Sequence, residues 1–113
     1  MEAQRPETIA ITAGRPTSAP GSPLNTSISL NSTFTAGGAL GYGRFGNETW
    51  TALETTITEL ERGDSTLAFS SGMAAITAIF SLLPHGAPIV ASHQGYSGTM
   101  ALLKKYHEQG RLE

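Results

Sequence analysis

The sequence predicts an α/β fold: an extended N-terminal arm, then strand–helix–strand–helix units pairing into a parallel sheet. Three observations predict it. Residues 1–46 are rich in Pro, Gly, Ser and Thr and poor in bulky apolar groups, so they cannot bury a core of their own. Beyond them, apolar residues recur at helical spacing in three segments. Two short apolar runs of strand length, Ser65 to Phe69 and Ala87 to Ala91, alternate with those segments. Such alternation argues for parallel pairing with right-handed crossovers.

Taken in order, the arm covers 1–46, and the α/β unit begins at 47 and runs to 113. Asn47 is a natural N-cap, and Glu48 puts a negative charge in the first helical turn. Trp50, Leu53, Ile57 and Leu60 form an apolar stripe, with Trp50 read as core. Gly63 stops this helix, and Arg62 suits its negative end. After the strand that ends at Phe69, a second helix runs from about Gly72 to Leu83. Ile76, Ile79, Phe80 and Leu83 lie on its core side, and Pro84 and Gly86 end it. The second strand leads to a third helix, Ser97 to Gln109, carrying Met100, Leu103 and Tyr106 and closed by Gly110. Arg111-Leu112-Glu113 reads as the approach to a third strand, so we expect a fragment with an open sheet edge.

Composition removes several function classes. A net charge of −2 steers the chain to neither nucleic acid nor an anionic membrane. There is no cysteine, which excludes disulfides, thiolate metal sites and a cysteine nucleophile. The three histidines are too scattered for a metal pair. No apolar signal-peptide segment opens the chain, and the run Ala74 to Leu83 is about half a membrane span. The expected location is cytoplasmic.

Chemistry concentrates where strands give way to helices. Ser70-Ser71-Gly72-Met73-Ala74-Ala75 follows one strand and opens a helix. The first N–H groups of a helix have no internal partner and carry its partial positive charge, so Gly72 and Met73 can hold an anion. His93 to Thr99 follows the other strand at the equivalent end, where ligands of open α/β sheets bind. Lys104 and Lys105 read as a solvated helix face, and His85, His107 and Asp64 as surface and turn residues.

These motifs have company in a fixed order. Tyr42-x-Arg44-x-x-Asn47 is followed by Leu53-Glu54, then Phe69-Ser70-Ser71-Gly72-Met73-Ala74-Ala75, then Tyr96-x-Gly98-Thr99. With Glu7-Thr8-Ile9-Ala10, Ala13-Gly14 and Ser32-Thr33-Phe34, this order resembles the Cys/Met-metabolism family of pyridoxal-phosphate enzymes along most of the chain. The resemblance implies the N-terminal portion of a fold-type I enzyme with pyridoxal 5'-phosphate as cofactor. It implies that Gly72 and Met73 bind the phosphate, with Tyr42 and Arg44 joining them from the neighbouring subunit of a homo-oligomer. It makes Tyr96 the residue that stacks on the cofactor ring and the catalytic candidate. The Schiff-base lysine and the pyridinium aspartate of the family match no residue here.

Two departures matter. Glu48 stands where the family commonly has Pro, which puts an acidic group nearer the phosphate. Gly98 stands where methionine γ-lyases carry a cysteine, which counts against that activity. The expectation is therefore a transsulfuration enzyme fragment, most like the cystathionine γ-synthases, acting on an amino-acid substrate in the parent enzyme and inactive alone. The alternative is a non-catalytic assembly or cofactor-binding module that docks on a full-length paralogue through its arm.

Overall fold

A computed structural model describes residues 4–113, which pack as two compact units that divide between Ala68 and Phe69.

The arm is not extended throughout. Its first described element is a short helix, α1 (Pro6–Thr12). Proline at the first helical position loses no hydrogen bond, and Glu7 sits at the positive end, so a proline-rich composition is compatible with this turn of helix. After α1 the chain folds back on the long helix α2 (Glu48–Glu61). Gly14 makes that possible: it takes φ +69°, and a Cβ there would run into the Ala52 carbonyl. The Thr26 hydroxyl donates to the Gly14 carbonyl at 2.7 Å and holds the next part of the arm alongside. Farther on, Thr33 and Tyr42 form an antiparallel bridge, and a 3-10 turn, Gly43–Phe45, leads into α2.

Asn47 caps α2 as expected, accepting the Thr49 N–H at 2.9 Å. The end of α2 differs from expectation. Arg62, not Gly63, takes the left-handed conformation (φ 53°), and the Gly63 N–H returns to the Thr58 carbonyl at 3.0 Å. The turn closes one residue earlier than the glycine suggests, and Arg62 carries the strain. The apolar stripe on α2 is also less covered than expected. Trp50, Leu53 and Ile57 are exposed, so Trp50 is not core.

Residues 65–69 are not a paired strand. The Ala68 N–H donates to Glu54 Oε1 at 2.8 Å and the Thr58 hydroxyl to Thr66 at 2.8 Å, so side chains of α2 hold this segment. A strand is defined by its neighbour's backbone, and none pairs with this segment among the described residues; Leu67 is accordingly 75% exposed.

In the second unit, α3 (Gly72–Ser81) packs against α4 (Ser97–Glu108). Ala87 and Leu112 form a parallel bridge: the Ile89 N–H donates to the Glu113 carbonyl at 2.7 Å and the Glu113 N–H to the Ala87 carbonyl at 3.0 Å. The end of the chain, read as the approach to a third strand, thus meets the expected second strand in a single parallel bridge, and neither segment forms a strand. Leu112, 2% exposed, is the buried apolar residue of the described chain. Ile79, expected in the core, is exposed, and Phe80 is only half-buried. The architecture is α/β in kind but mostly helical. Parallel pairing is confined to this one bridge rather than spread over a βαβα sheet.

Candidate functional site

The second unit brings two of the sequence motifs together. Ser71 caps α3, its hydroxyl accepting the Ala74 N–H at 3.2 Å. That leaves the N–H groups of Gly72 and Met73 without an acceptor among the described residues. A Cβ at Gly72 would meet nothing within 4 Å, so the approach to these donors is open. Two free N–H groups at the positive end of a helix suit a dianionic phosphate.

Tyr96 stands immediately before α4 and is 68% exposed. Its ring leans over Gly98: a Cβ there would lie 2.7 Å from Tyr96 Cε1 and 3.1 Å from Met73 Sδ. The aromatic ring and the Met73 side chain therefore meet at the bare face of Gly98. The second unit thus offers free backbone donors at the start of α3 and an exposed aromatic ring at the start of α4.

Tyr42 and Arg44 lie in the first unit and form a pair of their own. The Arg44 guanidinium carbon sits 5.2 Å from the centre of the Tyr42 ring, and Nη2 donates to the Tyr42 hydroxyl at 3.4 Å. Phe45 packs edge-on to Tyr42 with ring centres 6.3 Å apart. Both Tyr42 and Arg44 are exposed, so the fork-shaped cation and the phenol are presented outward together.

The remaining candidates behave as surface groups. Lys104 pairs with Glu108 at 3.9 Å, one turn along a solvated face, and His85, His93 and His107 are exposed. No group of histidines and carboxylates able to hold a metal occurs among the described residues. No described helix is long and apolar enough to cross a membrane.

Two residues matter more than their sequence context suggested. Arg111 reaches back to the C-terminus of α3, donating to the carbonyls of Phe80 (3.3 Å), Leu83 (2.5 Å) and Pro84 (2.9 Å). Asn47 does more than cap: its Nδ2 donates to the carbonyls of Ser29 (3.2 Å) and Asn31 (3.5 Å) while it is only 4% exposed. No local pattern announces either contact.

Residues 7–113 match the family of Cys/Met metabolism PLP-dependent enzymes. The chain belongs to that family and carries its N-terminal part. Pyridoxal phosphate is the cofactor this membership implies, and the free donors at Gly72 and Met73 fit its phosphate. Among relatives, the chain is 48% identical over 64 residues to cystathionine gamma-lyase of Bacillus subtilis, covering 57% of this chain and 17% of that protein. It is 41% identical over 108 residues to cystathionine gamma-synthase of Mycobacterium tuberculosis, covering 88% and 28% respectively. In structure it is similar to metB from Corynebacterium glutamicum (TM-score 0.87, 33% identity, 97% of this chain and 30% of that one). It is also similar to cystathionine gamma synthase from Xanthomonas oryzae pv. oryzae in complex with cystathionine (TM-score 0.85, 27% identity, 98% and 30%). The chain thus spans less than a third of the length of these proteins.

Proposed function

We propose that this chain builds the phosphate-binding and ring-stacking part of a pyridoxal-phosphate enzyme of sulfur amino-acid metabolism, of the transsulfuration type and cytoplasmic. The observation that carries the reading is the approach of the Tyr96 ring and the Met73 sulfur to Gly98, since Met73 is also one of the two residues whose helix N–H is free. In this reading Gly72 and Met73 hold the phosphate through backbone donors, and Tyr96 stacks on the ring. Tyr42 and Arg44 complete the phosphate site of a neighbouring subunit, the guanidinium by charge-assisted bonds and the phenol by its free O–H. Bound pyridoxal phosphate supplies the electron sink for reactions at carbons of an amino-acid substrate. The reaction we assign to the parent enzyme is γ-replacement on an acylated homoserine by cysteine. Alone, the chain is inactive, because Lys104 and Lys105 lie on a solvated face and neither serves as the covalent lysine.

Arg44→Ala tests the assignment in the cofactor-loaded protein. It should weaken pyridoxal phosphate retention more than Tyr96→Phe does, because charge-assisted bonds contribute about 1.5–3 kcal/mol each. Tyr96→Phe keeps the stacking ring, so its cost should fall on turnover. Subunit mixing with a Schiff-base-lysine variant should restore activity in part if Arg44 acts across the interface. Equal retention in the two variants, or no restoration after verified exchange, would refute the assignment. A second reading, a module that docks on a longer paralogue through the arm, draws support from the exposed Ile28 and Leu30. It predicts capture of the paralogue and loss of that capture with Leu30→Asp.

A further inference from the structure

We propose that Asn47 is the positioning residue of the Tyr42–Arg44 clamp, and that one side chain fixes the clamp by holding helix and arm together. The proposal rests on the phosphate role given to Arg44 above. The two ends of the Asn47 amide do different work. Oδ1 accepts the Thr49 N–H at 2.9 Å and sets the start of α2. Nδ2 donates to the carbonyls of Ser29 at 3.2 Å and Asn31 at 3.5 Å, so the same group ties down the arm. Thr49 extends the tie, accepting the Ser29 N–H at 2.8 Å and donating to the Ser27 carbonyl at 3.3 Å. Alternate residues 27, 29 and 31 thus bond through the backbone of one edge, and two side chains stand in for a neighbouring strand.

The consequence falls on the clamp. The loop that carries Tyr42 and Arg44 leaves Asn31, which bonds to Asn47, and returns to Asn47 itself. Within the loop the backbone bonds are few: Phe34 N–H to Gly41 at 3.3 Å, Gly43 N–H to Ser32 at 2.7 Å and Phe45 N–H to Tyr42 at 3.0 Å. Tyr42 and Arg44 are exposed and bond to each other; Tyr42 is held further by its bridge to Thr33 and by the Phe45 ring, whereas the Arg44 side chain has no partner but Tyr42 among the described residues. Asn47, 4% exposed, is the polar group on which both ends of the loop close. Releasing one end returns loop entropy to the clamp and spreads Arg44 over many positions. Asparagine is suited to both tasks because it carries an acceptor and a donor pair on one short side chain.

Asn47→Asp separates the two tasks. Aspartate caps a helix as well as asparagine does, but it has no N–H to give to Ser29 and Asn31. In the protein carrying this chain, amide hydrogen exchange at Phe34 and Gly43 should speed up about tenfold, while Thr51 and the following α2 amides keep their protection. Affinity for pyridoxal phosphate should fall about tenfold, with affinity for phosphate-free pyridoxal unchanged. In an Arg44→Ala background, Asn47→Asp should cost under about threefold, since only the Tyr42 hydroxyl of the clamp remains to be positioned. Unchanged exchange at Phe34 and Gly43 would overturn the proposal, as would full loss of pyridoxal phosphate affinity on top of Arg44→Ala. If Arg44→Ala alone left affinity intact, the phosphate role of Arg44 would fall instead. The exchange rates would then still decide whether Asn47 fixes the loop.

Discussion

Removing the Arg111 guanidinium should loosen the second unit locally and measurably. Arg111 donates to three carbonyls at the C-terminal end of α3, those of Phe80, Leu83 and Pro84. Phe80 lies in the last turn of α3 and Leu83 and Pro84 just beyond it; the Phe80 and Pro84 carbonyls also accept the N–H groups of Leu83 (3.3 Å) and Ala87 (3.2 Å), and a cation there meets the negative end of the helix dipole. Hydrogen bonds from a charged group contribute about 1.5–3 kcal/mol each when buried. Arg111 is half-buried, water can replace part of the lost bonding, and the three bonds share one group, so Arg111→Ala should cost about 2 kcal/mol in all. The effect should concentrate where Arg111 also serves through its backbone, whose carbonyl accepts the Gly86 N–H at 3.0 Å. Hydrogen exchange at Gly86 and Glu113 is the assay, and 2 kcal/mol corresponds to roughly thirtyfold faster exchange if local opening governs it. Arg111→Lys keeps the charge but only one compact ammonium, and should recover about a third of the loss. Exchange at both amides within about twofold of the parent would refute the reasoning, because the three bonds would then carry no net stability.

Arg62→Gly should raise the melting temperature, by the equivalent of about 0.5–1 kcal/mol, since Arg62 holds a left-handed φ of 53° that glycine adopts freely. A lower melting temperature would mean that the arginine side chain contributes more than its backbone costs. Gly98→Ala places a Cβ 2.7 Å from the Tyr96 ring and 3.1 Å from Met73 Sδ. The Tyr96 ring is exposed and can swing, so stability should fall by under about 1 kcal/mol, and the nuclear Overhauser contact between Tyr96 and Met73 should vanish. Its persistence would mean that the bare face of Gly98 does not set the ring's place.

Helix starts were legible in the sequence because caps are local. Asn47 and Ser71 each announce a helix by a side chain that reaches the N–H two or three residues on. Gly72 and Met73 could be named as anion donors for the same reason, whereas Tyr42, Arg44 and Tyr96 were named from the ordered motifs that resemble the family. Helix ends were less legible: Gly63 advertises a stop, yet the left-handed turn falls on Arg62, because the position where the last carbonyls are met depends on the whole turn. Helix α1 escaped notice because proline-rich composition argues against helix except at the first position, where Pro6 stands. Strands were the weakest inference. An apolar run such as 65–69 becomes a strand only beside a partner backbone, and sequence patterning does not supply one. The reach of Arg111 to residues 27 to 31 positions away is a tertiary contact with no periodic signature.

The order in this chain comes from polar side chains bonded to backbone far more than from apolar burial. Asn47 and Thr49 hold the arm, Thr26 holds Gly14, Glu54 holds Ala68, and Arg111 holds the end of α3. Against these stands, among the described residues, one buried apolar side chain, Leu112, while Leu30 is 92% exposed and Val90 wholly so. Hydrogen bonds contribute only about 1 kcal/mol each in net terms, and they are directional, whereas burial of apolar area supplies most folding free energy without fixing orientation. The polar bonds therefore specify where groups point, and the apolar faces supply the drive for association with whatever covers them. The proposed site follows this division. Arg44 and Tyr42 ride on a loop closed by Asn47, the Gly72 and Met73 donors follow the Ser71 cap, and Tyr96 rests over Gly98. Each site group is fixed by a local polar bond or a missing Cβ, so the site can be arranged with little core of its own.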